Sequence, residues 1–201
     1  MKAVIFDWGG VFQRTVDPKP RRQLEQLLGL PPGGVERAVF QSPDWEKACK
    51  GERTAEEIWG HIVSSLGYSL GTVDFVRRFF AGDRIDETLV ELVWDLRDKG
   101  YRVGLLSNAP PPLDEAGRAG RWGCQDLFDV QVFSYQVGVL KPHPRMYETV
   151  LQALRVAPRE ALFIDDAPEN VRGAQAVGMR ALHFTDPQSL LRVLRTWLLS
   201  E

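Results

Sequence analysis

The chain has 201 residues, enough for one full domain or a domain carrying a small insert. Its 44% hydrophobic and 26% charged residues are ordinary for a globular protein and exclude a disordered or fibrous chain. With 25 basic residues against 27 acidic ones the formal charge is −2, which supplies no broad cationic surface for a nucleic-acid partner.

Ala3-Val4-Ile5-Phe6 is a short apolar run closed by Asp7 and the Gly9-Gly10 pair, the pattern of a strand buried on both faces and followed by a tight loop. The carboxylate of Asp7 comes too soon for the apolar stretch of a secretory signal, and no later stretch reaches the length of a membrane span. A cytoplasmic protein with no membrane partner is the expectation. Cys49 and Cys124 lie far apart, match no metal or disulfide spacing, and read as free thiols in a reducing compartment.

From about Gln13 to Arg84 no apolar strand run appears. Residues Arg21 to Leu28, Val35 to Phe40, Ala55 to Leu66 and Val73 to Phe80 have helical spacing, broken early by Pro18, Pro20, Pro31-Pro32 and Gly33-Gly34. After Gly82-Asp83 the rhythm changes to alternation. Strand runs at Val103–Leu106, Val130–Phe133, Ala161–Ile164 and Arg180–Phe184 are interleaved with helices at Asp86–Lys99, Pro144–Leu154, Ala167–Val177 and Gln188–Leu199. Alternation of this kind calls for parallel strands with right-handed crossovers, hence a doubly wound α/β sheet whose ligands sit at the carboxyl ends of the strands. The predicted organisation is an α/β, Rossmann-like parallel-sheet core from residues 1–13 and 85–201, with a small α-helical cap inserted at 14–84.

Four polar stations close the strand runs or follow them: Asp7, Ser107-Asn108, Lys141 and Asp165-Asp166. Each alone is as readily a turn, cap or surface residue. Together, three carboxylates supply hard oxygen ligands suited to Mg²⁺, Lys141 can neutralise an aspartate and a bound phosphate, and Ser107 and Asn108 can donate to phosphate oxygens. Phosphoryl transfer on a small phosphorylated molecule is the chemistry such a set supports.

Phe6-Asp7-Trp8-Gly9-Gly10-Val11, Leu105-Leu106-Ser107-Asn108, Gly138-Val139-Leu140-Lys141-Pro142 and Phe163-Ile164-Asp165-Asp166 resemble, in order, the four motifs of the haloacid dehalogenase-like superfamily. Gly51-Glu52-Arg53-Thr54 also resembles a common segment of the family's cap. The resemblance implies a helical cap that closes over the site. It implies that Asp7 attacks phosphorus to give an aspartyl phosphate, which water cleaves. It further implies a metal site formed by Asp7, the Gly9 backbone carbonyl, Asp165 and Asp166, with Asn170 as an outer candidate; separately, a monomer or a homodimer is expected.

One position departs from the pattern. Most phosphatases of the family carry a second aspartate two residues after the nucleophile, where this chain has Gly9. Glycine keeps the carbonyl and loses the acid-base carboxylate, an effect worth about 10²–10⁴-fold in rate. Two rivals follow: a non-catalytic phosphate- or metabolite-binding protein, and a 2-haloacid dehalogenase, the latter disfavoured by the acidic pair Asp165-Asp166. Among other residues, His61, His143 and His183 lack metal-ligand spacing and read as structural. Trp45, Trp59 and Phe79 suit core packing better than a pocket, and Trp8 suits either.

Overall fold

The computed structural model describes residues 2–112 and 125–198. Its centre is a five-stranded parallel sheet in the order β5-β4-β1-β6-β7, formed by β1 (Ala3–Phe6), β4 (Arg102–Ser107), β5 (Val130–Phe133), β6 (Ala161–Asp165) and β7 (Arg180–His183). Strand β1 lies in the middle, which is why its four residues are all apolar and all fully buried. Side chains alternate across the sheet. Val4, Phe6, Leu162 and Ile164 pack on one face against α6 (Glu87–Asp98) and Leu190 and Leu194 of a C-terminal helix (Pro187–Leu198). Ala3, Ile5 and Phe163 pack on the other against the helices at Pro144–Leu154 and Pro168–Ala176. This is the predicted doubly wound, Rossmann-like α/β core.

Register positions the site. Phe6 pairs with both Leu105 and Ile164, so Asp7 and Asp165 leave the sheet side by side, with Ser107 ending the neighbouring strand. The Asp7 amide donates to the Ile164 carbonyl at 2.9 Å, which holds the first loop residue in sheet geometry.

Between β1 and α6 the chain runs through β2 (Gln13–Thr15), five helices and β3 (Asp83–Ile85). The helices are α1 (Lys19–Leu28), α2 (Gly34–Phe40), α3 (Pro43–Cys49), α4 (Ala55–Ser65) and α5 (Thr72–Phe80), and they enclose a separate core that includes Leu24, Val35, Ile58, Trp59, Phe75 and Phe79. Strands β2 and β3 pair antiparallel, Gln13 opposite Ile85 and Thr15 opposite Asp83. This ribbon was not expected from the sequence, because three-residue strands reading Gln-Arg-Thr and Asp-Arg-Ile carry no apolar alternation. Helix α3 was also not expected. It is short and starts from a Ser42 cap with proline at its first position.

The expected core helices agree with the observed ones to within two residues, with Gly100 and Gly178 in left-handed conformation just past α6 and the Pro168–Ala176 helix. Cys49 is buried in the insert, and Cys124 lies outside the described residues. No helix among the described residues is long and apolar enough to cross a membrane.

Candidate active site

Lys141 joins two of the strand-end carboxylates. Its Nζ lies 2.7 Å from Asp7 Oδ1 and 2.7 Å from Asp165 Oδ2, with the side chain almost wholly buried. Asn108 fixes the lysine from behind: its Oδ1 accepts from the Lys141 amide at 2.8 Å and its Nδ2 donates to the Lys141 carbonyl at 3.2 Å. One Nδ2 hydrogen then remains for another acceptor. Asp165 is fully buried and accepts from Asn170 Nδ2 at 3.1 Å on each oxygen, and from the Ala167 amide at 2.8 Å. The Tyr147 hydroxyl in turn donates to the Asn170 carbonyl at 2.8 Å.

The third carboxylate, Asp166, is exposed and rests against Gly10. Gly10 has φ +79°, which favours glycine, and a Cβ there would meet Asp166 Oδ2 at 2.0 Å, so any other residue would have to push the Asp166 carboxylate aside. Ligand oxygens of Asp7, Asp165 and Asp166 all lie within 4.8 Å of one another. Such a cluster is self-repulsive. Burial raises the Asp7 carboxyl to about 7, with Lys141 opposing the shift and Asp165 adding to it. Asp166 is also raised, first by desolvation and then by Asp165. Three hard oxygen donors carrying more negative charge than one lysine balances are a donor set that fits Mg²⁺.

At Gly9 the structure is open: a Cβ built there meets nothing within 4 Å. Gly9, Ser107 and Asn108 form one end of a cavity of about 370 Å³ that extends to Phe40, Trp45 and Phe80 of the helical insert. A buried polar chain runs along its wall. Trp8 Nε1 donates to Gln13 Oε1 at 2.7 Å, Gln13 Nε2 to Asp83 Oδ2 at 2.8 Å, and Thr15 Oγ1 to Asp83 Oδ1 at 2.8 Å. Arg21 Nη2 donates to both Asp83 oxygens at 2.9 and 3.1 Å, and its Nε to the Phe79 carbonyl at 3.1 Å. This network was missed in the sequence, where Gln13, Arg21 and Asp83 are separated by helical turns and carry no shared motif.

All the strand-end residues singled out in the sequence, Asp7, Ser107, Asn108, Lys141, Asp165 and Asp166, come together at the carboxyl edge of the sheet, with Gly9 beside them. The histidines do not join them as a cluster: His61 is exposed beside Asp44, His143 caps the helix that follows it, and His183 contacts the Asp166 carbonyl. Trp59 and Phe79 are core residues, as expected, and Trp45 packs against the same core while also lining the cavity. Trp8 does both, being buried against Phe12 and forming part of the cavity wall. Arg53 faces a separate cavity together with Tyr135.

A Rossmann-like sheet with an aspartate after its first strand, a lysine-bridged second aspartate and a helical insert defines a class of α/β hydrolases. The family model for haloacid dehalogenase-like hydrolases matches residues 1–178, and the chain belongs to that family. It is 32% identical to a sesquiterpene phosphatase of Aspergillus oryzae over 96% of this chain and 95% of that one. It is 26% identical to a D-ribitol-5-phosphate phosphatase of Bacteroides thetaiotaomicron over 89% of each. The fold is similar to a crystal structure of a haloacid dehalogenase family enzyme from the same bacterium, in complex with magnesium and inorganic phosphate. That likeness has a TM-score of 0.76 at 22% identity and covers 92% of this chain and 94% of that one.

Proposed function

We propose that this hydrolase is a Mg²⁺-dependent phosphate monoester hydrolase that works through an aspartyl phosphate at Asp7, with residues 14–84 acting as its cap. The observation that carries the reading is Lys141 placed 2.7 Å from both Asp7 and Asp165 at the sheet edge, where a third carboxylate completes an oxygen donor set. Phosphatase relatives of nearly the same length support it.

Asp7, the Gly9 carbonyl, Asp165 and Asp166 would hold the ion, which when bound neutralises the carboxylates and polarises a phosphoryl oxygen. The chain's own groups do the rest. One Asp7 oxygen attacks phosphorus, an Asp7–phosphorus bond forms, and the ester oxygen leaves with its electron pair. Lys141 favours the ionised form of Asp7 against the effect of burial and balances charge on the phosphoryl oxygens, while Ser107 and the remaining Asn108 hydrogen donate to them. Water then attacks phosphorus, releasing inorganic phosphate and freeing Asp7.

Gly9 offers no proton to the leaving oxygen, so turnover favours leaving groups that carry negative charge unaided, such as aryl or acyl phosphates, over sugar phosphates. The test is hydrolysis of an aryl phosphate with and without Mg²⁺, beside an Asp7→Asn control. Release that needs Mg²⁺ and disappears in the control is expected. Release equal to the control would sink the reading and favour a phosphate-binding protein.

A further inference from the structure

The phosphoryl end of the site opens into the 370 Å³ cavity, a volume of the size that holds small organic ligands. Its far wall is aromatic. Phe40 keeps 43% of its surface exposed, and Trp45, packed edge-on to it at 5.2 Å between ring centroids, is only partly buried. Phe80 of the insert and the buried Trp8, next to Gly9, also line the cavity. Exposed aromatic rings facing a cavity are costly in water and gain when a hydrocarbon covers them.

Away from Ser107 and Asn108, the polar side chains that line the cavity already have protein partners. Gln13 bridges Trp8 and Asp83, Thr15 donates to Asp83, and Arg14 pairs with Asp86. Arg21 has its Nε, Nη1 and Nη2 directed to Phe79, Glu36 and Asp83. A polyol entering here would have to compete with these pairs for its hydrogen bonds, which a hydrocarbon group does not need to do. Gly9 bears on the same choice. With nothing within 4 Å of its missing Cβ, it leaves open the passage between the phosphoryl site and the aromatic wall.

We infer that Trp8, Phe40, Trp45 and Phe80 form a specificity recess for a hydrocarbon group on the phosphate ester, reached through the space that a side chain at Gly9 would occupy. The inference rests on the phosphate-site reading above, and the test separates the two. Calorimetric titration with n-alkylphosphonates from methyl to octyl, in the presence of Mg²⁺, measures both ends of the site without turnover. Methylphosphonate binding reports the phosphoryl end. Affinity should then rise by up to about fourfold per methylene until the recess is filled. Propylphosphonate should bind about tenfold more tightly than 2,3-dihydroxypropylphosphonate. In Phe40→Ser, a substitution at a partly exposed ring, the dependence on chain length should flatten.

Methylphosphonate binding with no gain on lengthening would overturn the recess and leave the phosphate site standing. Equal affinity for the propyl and dihydroxypropyl compounds, or an undiminished slope in Phe40→Ser, would also overturn it. Failure of every phosphonate to bind would remove the phosphate site and the recess together.

Discussion

The Lys141 ammonium lies 2.7 Å from the Asp7 carboxylate, and the same nitrogen bridges to Asp165 at the same distance. It is thus the counter-charge for two buried acids at once. Replacing it by methionine keeps the volume of the stem and leaves the carboxylates uncompensated. Lys141→Met should lower kcat on an aryl phosphate by about 10²–10³-fold. In the absence of Mg²⁺ it should also lower folding stability by about 3 kcal/mol. Steady-state kinetics and chemical denaturation check the two effects, and a variant retaining near-normal kcat would remove the lysine from the mechanism.

The open space at Gly9 makes a gain-of-function test possible. A Cβ there meets no atom within 4 Å, and Gly9 does not have the positive φ that would strain an aspartate. Gly9→Asp should therefore fold and supply the missing acid. Turnover of methyl phosphate, whose alkyl group is too short to need the passage that the new side chain narrows, should rise at least tenfold, within the about 10²–10⁴-fold range of general acid-base catalysis, while an aryl phosphate gains little. An unchanged ratio between the two substrates would show that proton delivery does not limit the native protein.

The site was legible in the sequence because each of its residues ends, or directly follows, a strand run or a distinctive loop, and parallel strands put such ends on one edge. Asp7, Ser107 and Asp165 are instances: apolar runs of four or five residues point to them, and the register Phe6 to Leu105 and Ile164 sets them level. The ribbon of β2 and β3 was not legible. Its pairing joins Thr15 to Asp83 across the whole helical insert, and its side chains serve a polar network instead of an apolar face. Trp45 illustrates the other limit. It lies on α3, a helix that was not expected, and whether its ring meets the insert's core or a cavity depends on how the insert sits against the sheet.

The Asp7 carboxyl gives stability a definite dependence on pH in metal-free protein. Its folded value of about 7 lies above the ordinary 3.8, because burial penalises the charged form. Between those values the folded state holds a proton that the unfolded state has lost, so this group's contribution falls as pH rises through the window and levels off above about 7. Mg²⁺ held by Asp7 would favour the carboxylate and oppose the effect. The increase in Tm produced by Mg²⁺ should accordingly be larger at pH 8 than at pH 5. A larger increase at pH 5, read by thermal denaturation at fixed Mg²⁺, would contradict Asp7 as a ligand with a raised pKa.

Asp83 ties the loop after β1 to the helical insert, since it accepts two bonds from Arg21 and one each from Gln13 and Thr15, while Gln13 accepts from Trp8, the residue after Asp7. All four bonds to the Asp83 carboxylate come from donors on three residues. An asparagine would place an NH₂ group against some of them and remove the charge that offsets a buried guanidinium. Asp83→Asn should therefore cost about 3–5 kcal/mol of stability despite its unchanged shape. Asp83→Glu keeps the charge, so its loss should be smaller. Because the chain ends at Trp8, kcat at a temperature where the variant is still folded should fall with the stability. If Asp83→Asn unfolds at the native denaturant midpoint, the network contributes nothing, and the position of Trp8 is set by its packing on Phe12 alone.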